Sequence, residues 1–205
     1  MKVRLKRGYE ERWKDYWTER AEAFIARNPH PPPLRIIDDF KKYIANAHVD
    51  FESVVDAGCG VGSLYPVFDD KKLCGIEWIE TMVAECRIRY PDIKTICGDI
   101  RELDEYFKPG EYDALFTSAV LEHIPGEHIL QIVDKITKIF KIAIINEPVE
   151  LHARWRAEHC YIYKYEVIFD KFNWEMTYDL VTGLEGPSKV KLMVFEPRRE
   201  SAESD

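Results

Sequence analysis

Between residues 53 and 64 the chain reads SVVDAGCGVGSL, an apolar run that closes on Asp56 and then sets Gly58, Gly60 and Gly62 within five positions. Val54 and Val55, with no polar alternation around them, predict a short strand buried on both faces. Alternate glycines directly after such a strand allow main-chain conformations and approaches that a Cβ would block, so a ligand is expected against this backbone. The spacing narrows the choice. A dinucleotide turn of the GxGxxG kind needs its third glycine at 63, where Ser63 stands, and the lysine followed by serine or threonine of a triphosphate loop is missing. Neither a pyrophosphate nor a triphosphate is favoured.

Three later stretches continue the pattern of apolar run and acid. LCGIE ends in Glu77, 21 positions after Asp56, a separation at which a strand-end carboxylate accepts both hydroxyls of a ribose. IKTICGDI ends in Asp99 and Ile100, and YDALFTSAVLEHIP leads from a fourth strand through Ser118 to Glu122 and His123.

In these motifs the chain resembles the class I, Rossmann-like S-adenosylmethionine-dependent methyltransferases, well over about residues 50 to 150 and extending to 196. The resemblance implies S-adenosylmethionine as cofactor and transferase activity. It places Asp56, Gly58, Cys59 and Gly60 near the methionine portion, Glu77 on the ribose, Asp99 and Ile100 at the adenine, and the Ser118 carbonyl at the donor's amino group. Trp78 and Met82, after the ribose acid, either lie against the adenosine or belong to the core of the next helix. The N-terminal ERWKDYWTERAEAF resembles the lid helix of thiol and small-molecule methyltransferases, which would set Trp13 over the donor; the alternative is that Trp13 and Trp17 only cap the sheet.

Methyl transfer to a nucleophile is an in-line displacement that proximity and alignment accelerate strongly. His123 has a reference pKa suited to taking a proton from an acceptor hydroxyl or amine, and a structural hydrogen bond is the competing reading. The loop expected after the fifth strand contains Glu147, Glu150, His152, Arg154, Arg156 and His159, most of them expected in solvent. His123, His152, His159 and a glutamate could assemble a metal site, as in some RNA 3′-end methyltransferases, but that family pairs a double histidine with an extra acid where Ala119 and Ile124 stand here, so no metal is expected. The expected acceptor is an oxygen or nitrogen of a small molecule. A protein or RNA-end methyltransferase, or a catalytically silent S-adenosylmethionine binder, are the alternatives. TSAV stands where an amino-group nucleic-acid methylase carries its NPPY-type signature.

These residues need a frame to hold them. Strands are expected at 53–56, 72–77, 93–97, 111–117 and 141–146, with helices near 61–68, 79–89, 101–107 and 126–139 between them, an alternation that makes a parallel sheet covered on both faces. Before it come helices at 9–27 and 34–46 joined by NPHPPP, a stiff connector. After it, YKYEVIFDKF has helical apolar spacing with Asn173 as a left-handed stop, and WEMTYDLVTG and KVKLMVFEP form a hairpin across the five-residue LEGPS. The expected whole is an α/β, doubly wound, seven-stranded, mostly parallel sheet with a C-terminal antiparallel hairpin and N-terminal lid helices. Residues 1–33 are read as lid and connector, 34–197 as the methyltransferase domain and 198–205 as a disordered tail.

The whole chain sets the outer limits. Its 205 residues with 46% hydrophobic content suit one domain with a sizeable core. A net charge of −8 weighs against broad attraction to phosphate backbones, and hence against bulk nucleic acid as partner. Five cysteines, an odd number without a CxxC pair, suit small core residues in a reducing, cytoplasmic setting. No apolar run has the length of a membrane span or the flanks of a signal peptide. Oligomeric state leaves no mark in the sequence.

Overall fold

The computed structural model describes residues 9–150, 160–185 and 188–199, with side chains from Lys14 onward in the first stretch. Seven strands form one sheet in the order β3-β2-β1-β4-β5-β7-β6. They are β1 (Ser53–Ala57), β2 (Lys72–Glu77), β3 (Lys94–Cys97), β4 (Ala114–Ser118), β5 (Ile142–Glu150), β6 (Trp174–Glu185) and β7 (Ser188–Pro197). The first five pair in parallel, and β7 runs antiparallel to both β5 and β6.

All five residues of β1 are buried, as an apolar run without alternation requires, because each face of the sheet carries its own core. On one face Val55, Ala57, Leu115, Ala143, Ile145, Met193 and Phe195 meet α5 (Gly126–Ile139), α6 (Tyr165–Asp170) and the short α4 (Leu103–Tyr106). On the other, Val54, Phe116, Ile144, Leu192 and Val194 meet Ile37 and Phe40 of α2 (Leu34–Asn46) together with Val67 and Phe68. The odd and even positions of each strand thereby serve opposite layers. The long α1 (Tyr9–Arg27) covers neither core. It lays Trp17, Ala21, Phe24 and Ile25 on Val61, Ile79 and Met82, above the strand ends and beside α3 (Glu80–Arg89).

Several local expectations change. No α-helix runs over 61–68; Gly62 has φ 75, which an α-helix cannot pass through, and a 3₁₀ turn over Tyr65–Phe68 takes its place. Residues 101–107 divide into a 3₁₀ turn, Ile100–Glu102, and α4. β5 continues four residues past 146, because β7 pairs with its polar end. Glu185 pairs with Ser188, so the expected five-residue hairpin loop shrinks to residues 186 and 187, outside the described residues. Asn173 does stop α6 in the left-handed region, at φ 61. The tail expected from 198 falls outside the described residues beyond 199.

Candidate active site

The C-terminal ends of the parallel strands open into a cavity of about 530 Å³, where α/β sheets bind their ligands. The turn after β1 forms part of its wall. Gly58 and Cys59 donate their N–H groups to the Ile76 carbonyl at 2.8 and 3.2 Å, tying the turn to β2. Gly60, at φ 55, donates to Glu77 Oε2 at 3.0 Å, and Ile79 donates to Glu77 Oε1 at 2.8 Å. Burial raises the Glu77 carboxyl while those two N–H bonds pull it back. A strand-end acid thus orders both the glycine turn and the start of α3 and still lines the cavity.

What excludes a side chain at Gly58 is packing. A Cβ there would stand 2.3 Å from Val120 Cγ2, on the loop after β4, at a φ of 77 that L residues rarely adopt. At Gly60 the nearest atom to a Cβ would be Phe24 Cε1 of α1, at 3.4 Å.

Of the residues singled out in the sequence, Gly58, Gly60, Glu77, Trp78, Met82, Asp99, Ile100, Ser118 and His123 all line this cavity. Asp56 and Cys59 do not; they sit beneath the turn, 3% and 8% exposed. Burial, with Cys86 and Glu77 adding to it, lifts Asp56 to about 8. A hydrogen bond to Cys86, together with burial, keeps the Cys59 thiol protonated. Trp13 belongs to α1, but its side chain lies outside the described ones, as do His152, Arg154, Arg156 and His159.

Asp99 caps the 3₁₀ turn that follows it. Its Oδ1 accepts the Arg101 N–H at 2.8 Å, and its Oδ2 accepts Arg101 Nε and Nη2 at 2.8 and 2.6 Å. The guanidinium also lies 5.1 Å from the Trp78 ring centre, and Lys14 Nζ lies 5.2 Å from it. Two cations thus stand within cation–π range of the Trp78 ring on the cavity wall.

At the other end His123 stands among Trp17, Glu122 and Cys160. The Trp17 ring meets it edge-on at 5.9 Å, Glu122 Oε1 is 3.6 Å from Nε2, and Cys160 Sγ is 3.7 Å from Nδ1. Burial and the Glu122 carboxylate push the Cys160 thiol up to about 12. Glu122, His123 and Cys160 are the one group of three metal-ligating side chains among the described residues, with ligand atoms within 4.8 Å of one another. The sequence spacing had no means of bringing Cys160 to this place. Lys14, Tyr16, Trp17 and Phe24, all within the stretch that resembles a lid helix, also line the cavity, as does Arg101, which carried no local motif.

Glu147 departs furthest from expectation. Instead of facing solvent in a loop it lies on β5 with 0% exposure, and burial lifts it to about 7 against hydrogen bonds from Val120, Leu121 and Glu122.

Residues 54–142 match the family model described as a methyltransferase domain. The fold is shared with magnesium protoporphyrin IX methyltransferase from Synechocystis PCC 6803, solved with bound SAH (TM-score 0.69, 16% identity, 91% of this chain and 99% of that one). The same enzyme with bound SAM gives a TM-score of 0.66 at 16% identity over 96% and 100% of the two chains. A SAM-dependent methyltransferase from Aquifex aeolicus aligns at TM-score 0.65 and 14% identity, over 87% of this chain and 98% of that one. No curated protein sequence matches. The sheet and the cavity at its strand ends define a Rossmann-like α/β fold. Residues 54–142 thus match a methyltransferase domain, and the chain shares its fold with methyltransferases solved with SAH and with SAM.

Proposed function

We propose that this methyltransferase acts on an oxygen or nitrogen of a small molecule by in-line displacement, with His123 as the proton acceptor. One observation supports this above the others: a single cavity of about 530 Å³, of the size that buries small ligands, joins the glycine turn and Glu77 to His123.

S-adenosylmethionine, when bound, supplies an electrophilic methyl group on a sulfonium. The residues present fit it. Gly58 and Gly60 bring bare main chain to the cavity wall, and Asp56 and Cys59 beneath them shape that turn for the methionine portion. Glu77, held by two N–H groups, keeps lone pairs for the ribose hydroxyls. Asp99, Ile100, Trp78 and Met82 would bound the adenine, the Ser118 carbonyl would receive the amino group, and Trp13 would lie over the donor from α1. Residues 34–197 would then form the catalytic domain and 1–33 its lid, with α1 excluding water and orienting the acceptor through Tyr16 and Trp17. His123, flanked by Glu122, would take the acceptor's proton at an imidazole nitrogen. A net charge of −8 and the absence, among the described residues, of any helix long and apolar enough to cross a membrane agree with a small-molecule partner.

In His123→Asn, the rate of S-adenosylhomocysteine formation from S-adenosylmethionine and a metabolite fraction is expected to fall roughly 10²- to 10⁴-fold, with donor affinity by calorimetry within about threefold of wild type. An unchanged rate sinks the role of His123.

The convergence of Glu122, His123 and Cys160 favours a second reading, a metal-assisted methyltransferase acting on an RNA end. Under the first reading, dialysis against a chelator leaves turnover unchanged. Loss of turnover, restored by added zinc or manganese, would transfer the case to the second.

A further inference from the structure

Glu147 has no part in the function proposed above, yet among the described residues it is the most deeply buried acid. It stands on β5 opposite Lys191 of β7 and does not line the cavity. Its Oε1 accepts the main-chain N–H groups of Val120 and Leu121 at 2.9 and 3.0 Å, and its Oε2 accepts that of Glu122 at 3.2 Å. Its neighbour Asn146 continues the same work. The Asn146 carbonyl accepts the N–H of Ala119 at 3.0 Å, and Asn146 Nδ2 donates to Ser118 Oγ at 2.9 Å. Every residue from 118 to 122 is thereby tied to two consecutive positions of one strand.

The turn needs such a template. Ala119 has φ 55, a left-handed conformation that costs a non-glycine residue about 1–2 kcal/mol, and three successive N–H groups after it would otherwise lack partners in the interior. A buried carboxylate is the one side chain that offers enough acceptor sites for all three. The turn so ordered carries Glu122 and His123 to the cavity, and the Glu122 carbonyl in turn accepts the Tyr161 N–H at 2.7 Å.

We infer that Glu147 is a positioning residue for methyl transfer: from inside the sheet it fixes the 119–123 turn so that His123 meets the acceptor, touching neither donor nor acceptor itself. This rests on the proton-accepting role proposed for His123. Its chemistry predicts where a substitution fails. In Glu147→Gln the amide oxygen keeps the Val120 and Leu121 bonds, while the NH₂ group confronts the Glu122 N–H donor to donor, one residue before His123.

The test is a double-mutant cycle on the full chain with Glu147→Gln, His123→Asn and both together, following S-adenosylhomocysteine formed from S-adenosylmethionine and a metabolite fraction. Glu147→Gln is expected to lower kcat roughly 10- to 100-fold, as a misplacement near one ångström does. Donor affinity by calorimetry stays within about threefold, and the Glu122 amide exchanges faster than those of Val120 and Leu121. Combined with His123→Asn it slows the reaction no further, because the two residues act through one group. Should the glutamine variant fail to fold, Glu147→Asp, which keeps the charge but shortens the reach, runs through the same cycle. A full rate in the folded variant, or a loss that multiplies with that of His123→Asn, overturns the role of Glu147 alone. A wild-type rate in His123→Asn overturns the reading of His123 and this inference with it.

Discussion

Glu77→Ala is expected to weaken S-adenosylmethionine binding by roughly two to three orders of magnitude while the protein stays folded. Two effects add. The substitution removes a carboxylate able to accept from both ribose hydroxyls, each charge-assisted bond being worth about 1.5–3 kcal/mol. It also strips the Gly60 and Ile79 N–H groups of their acceptor, and these are the groups that set the glycine turn and the first turn of α3 against the cavity. Glu77→Gln separates the two: its single amide oxygen can serve Gly60 or Ile79 but not both, so affinity falls by an intermediate factor. The measurement is isothermal titration calorimetry with S-adenosylmethionine, paired with a thermal melt of each variant. A dissociation constant for Glu77→Ala within threefold of wild type would remove the ribose from this carboxylate and with it the placement of the donor. Gly58→Ala makes a poor substitute test, because its Cβ would collide with Val120 at 2.3 Å whether or not a donor binds there.

That contrast marks how far the sequence could be read. An apolar run that closes on an acid is a local pattern with a local cause, a buried strand whose end lies at the ligand edge. Asp56, Glu77 and Asp99 consequently fell within two residues of the ends of β1, β2 and β3, though only Glu77 and Asp99 line the cavity. The register of helices and strands followed for the same reason, as did the left-handed Asn173. The meaning of the glycines was only partly visible. Spacing says that side chains are kept out, whereas the object that keeps one out at Gly58 is Val120, 62 positions away.

Polar groups satisfied at a distance were hidden altogether. Glu147 reads as a solvent-facing loop acid because nothing nearby in sequence offers it donors; the three N–H groups that bury it belong to residues 120–122. The pairing of Arg101 with Asp99 was closer to legible: an acid at the start of a turn accepts the main-chain N–H two residues on, and an arginine at that position can also reach the carboxylate, so Asp99 has a partner besides the adenine expected beside it. Cys160, a small core residue by composition, reaches the cavity because the Tyr161 N–H bonds the Glu122 carbonyl, a contact that no periodicity encodes.

Asp56 yields the other large effect, in stability and not in binding. Its ordinary pKa of 3.8 rises to about 8 through burial, so between those values the folded chain holds a proton that the unfolded chain has released. The unfolded state then binds fewer protons, and stability falls as pH rises. This contribution is fully present below pH 3.8, declines across the interval, and is gone above about pH 8, where both states are ionised. Glu147, lifted to about 7, and Glu77, also raised by burial, act in the same direction. Each pH unit of such a difference is worth about 1.4 kcal/mol, so the total for Asp56 is on the order of several kcal/mol. Asp56→Asn imitates the protonated acid in shape and charge and has no proton to lose. Urea unfolding from pH 5 to 9 is therefore expected to give a wild-type free energy that drops steadily toward pH 8 and a variant curve that is flatter, crossing it so that the variant is the more stable protein at pH 8.5. Parallel curves for the two proteins would show Asp56 ionised in the folded chain, and the turn after β1 would then be built around a buried charge.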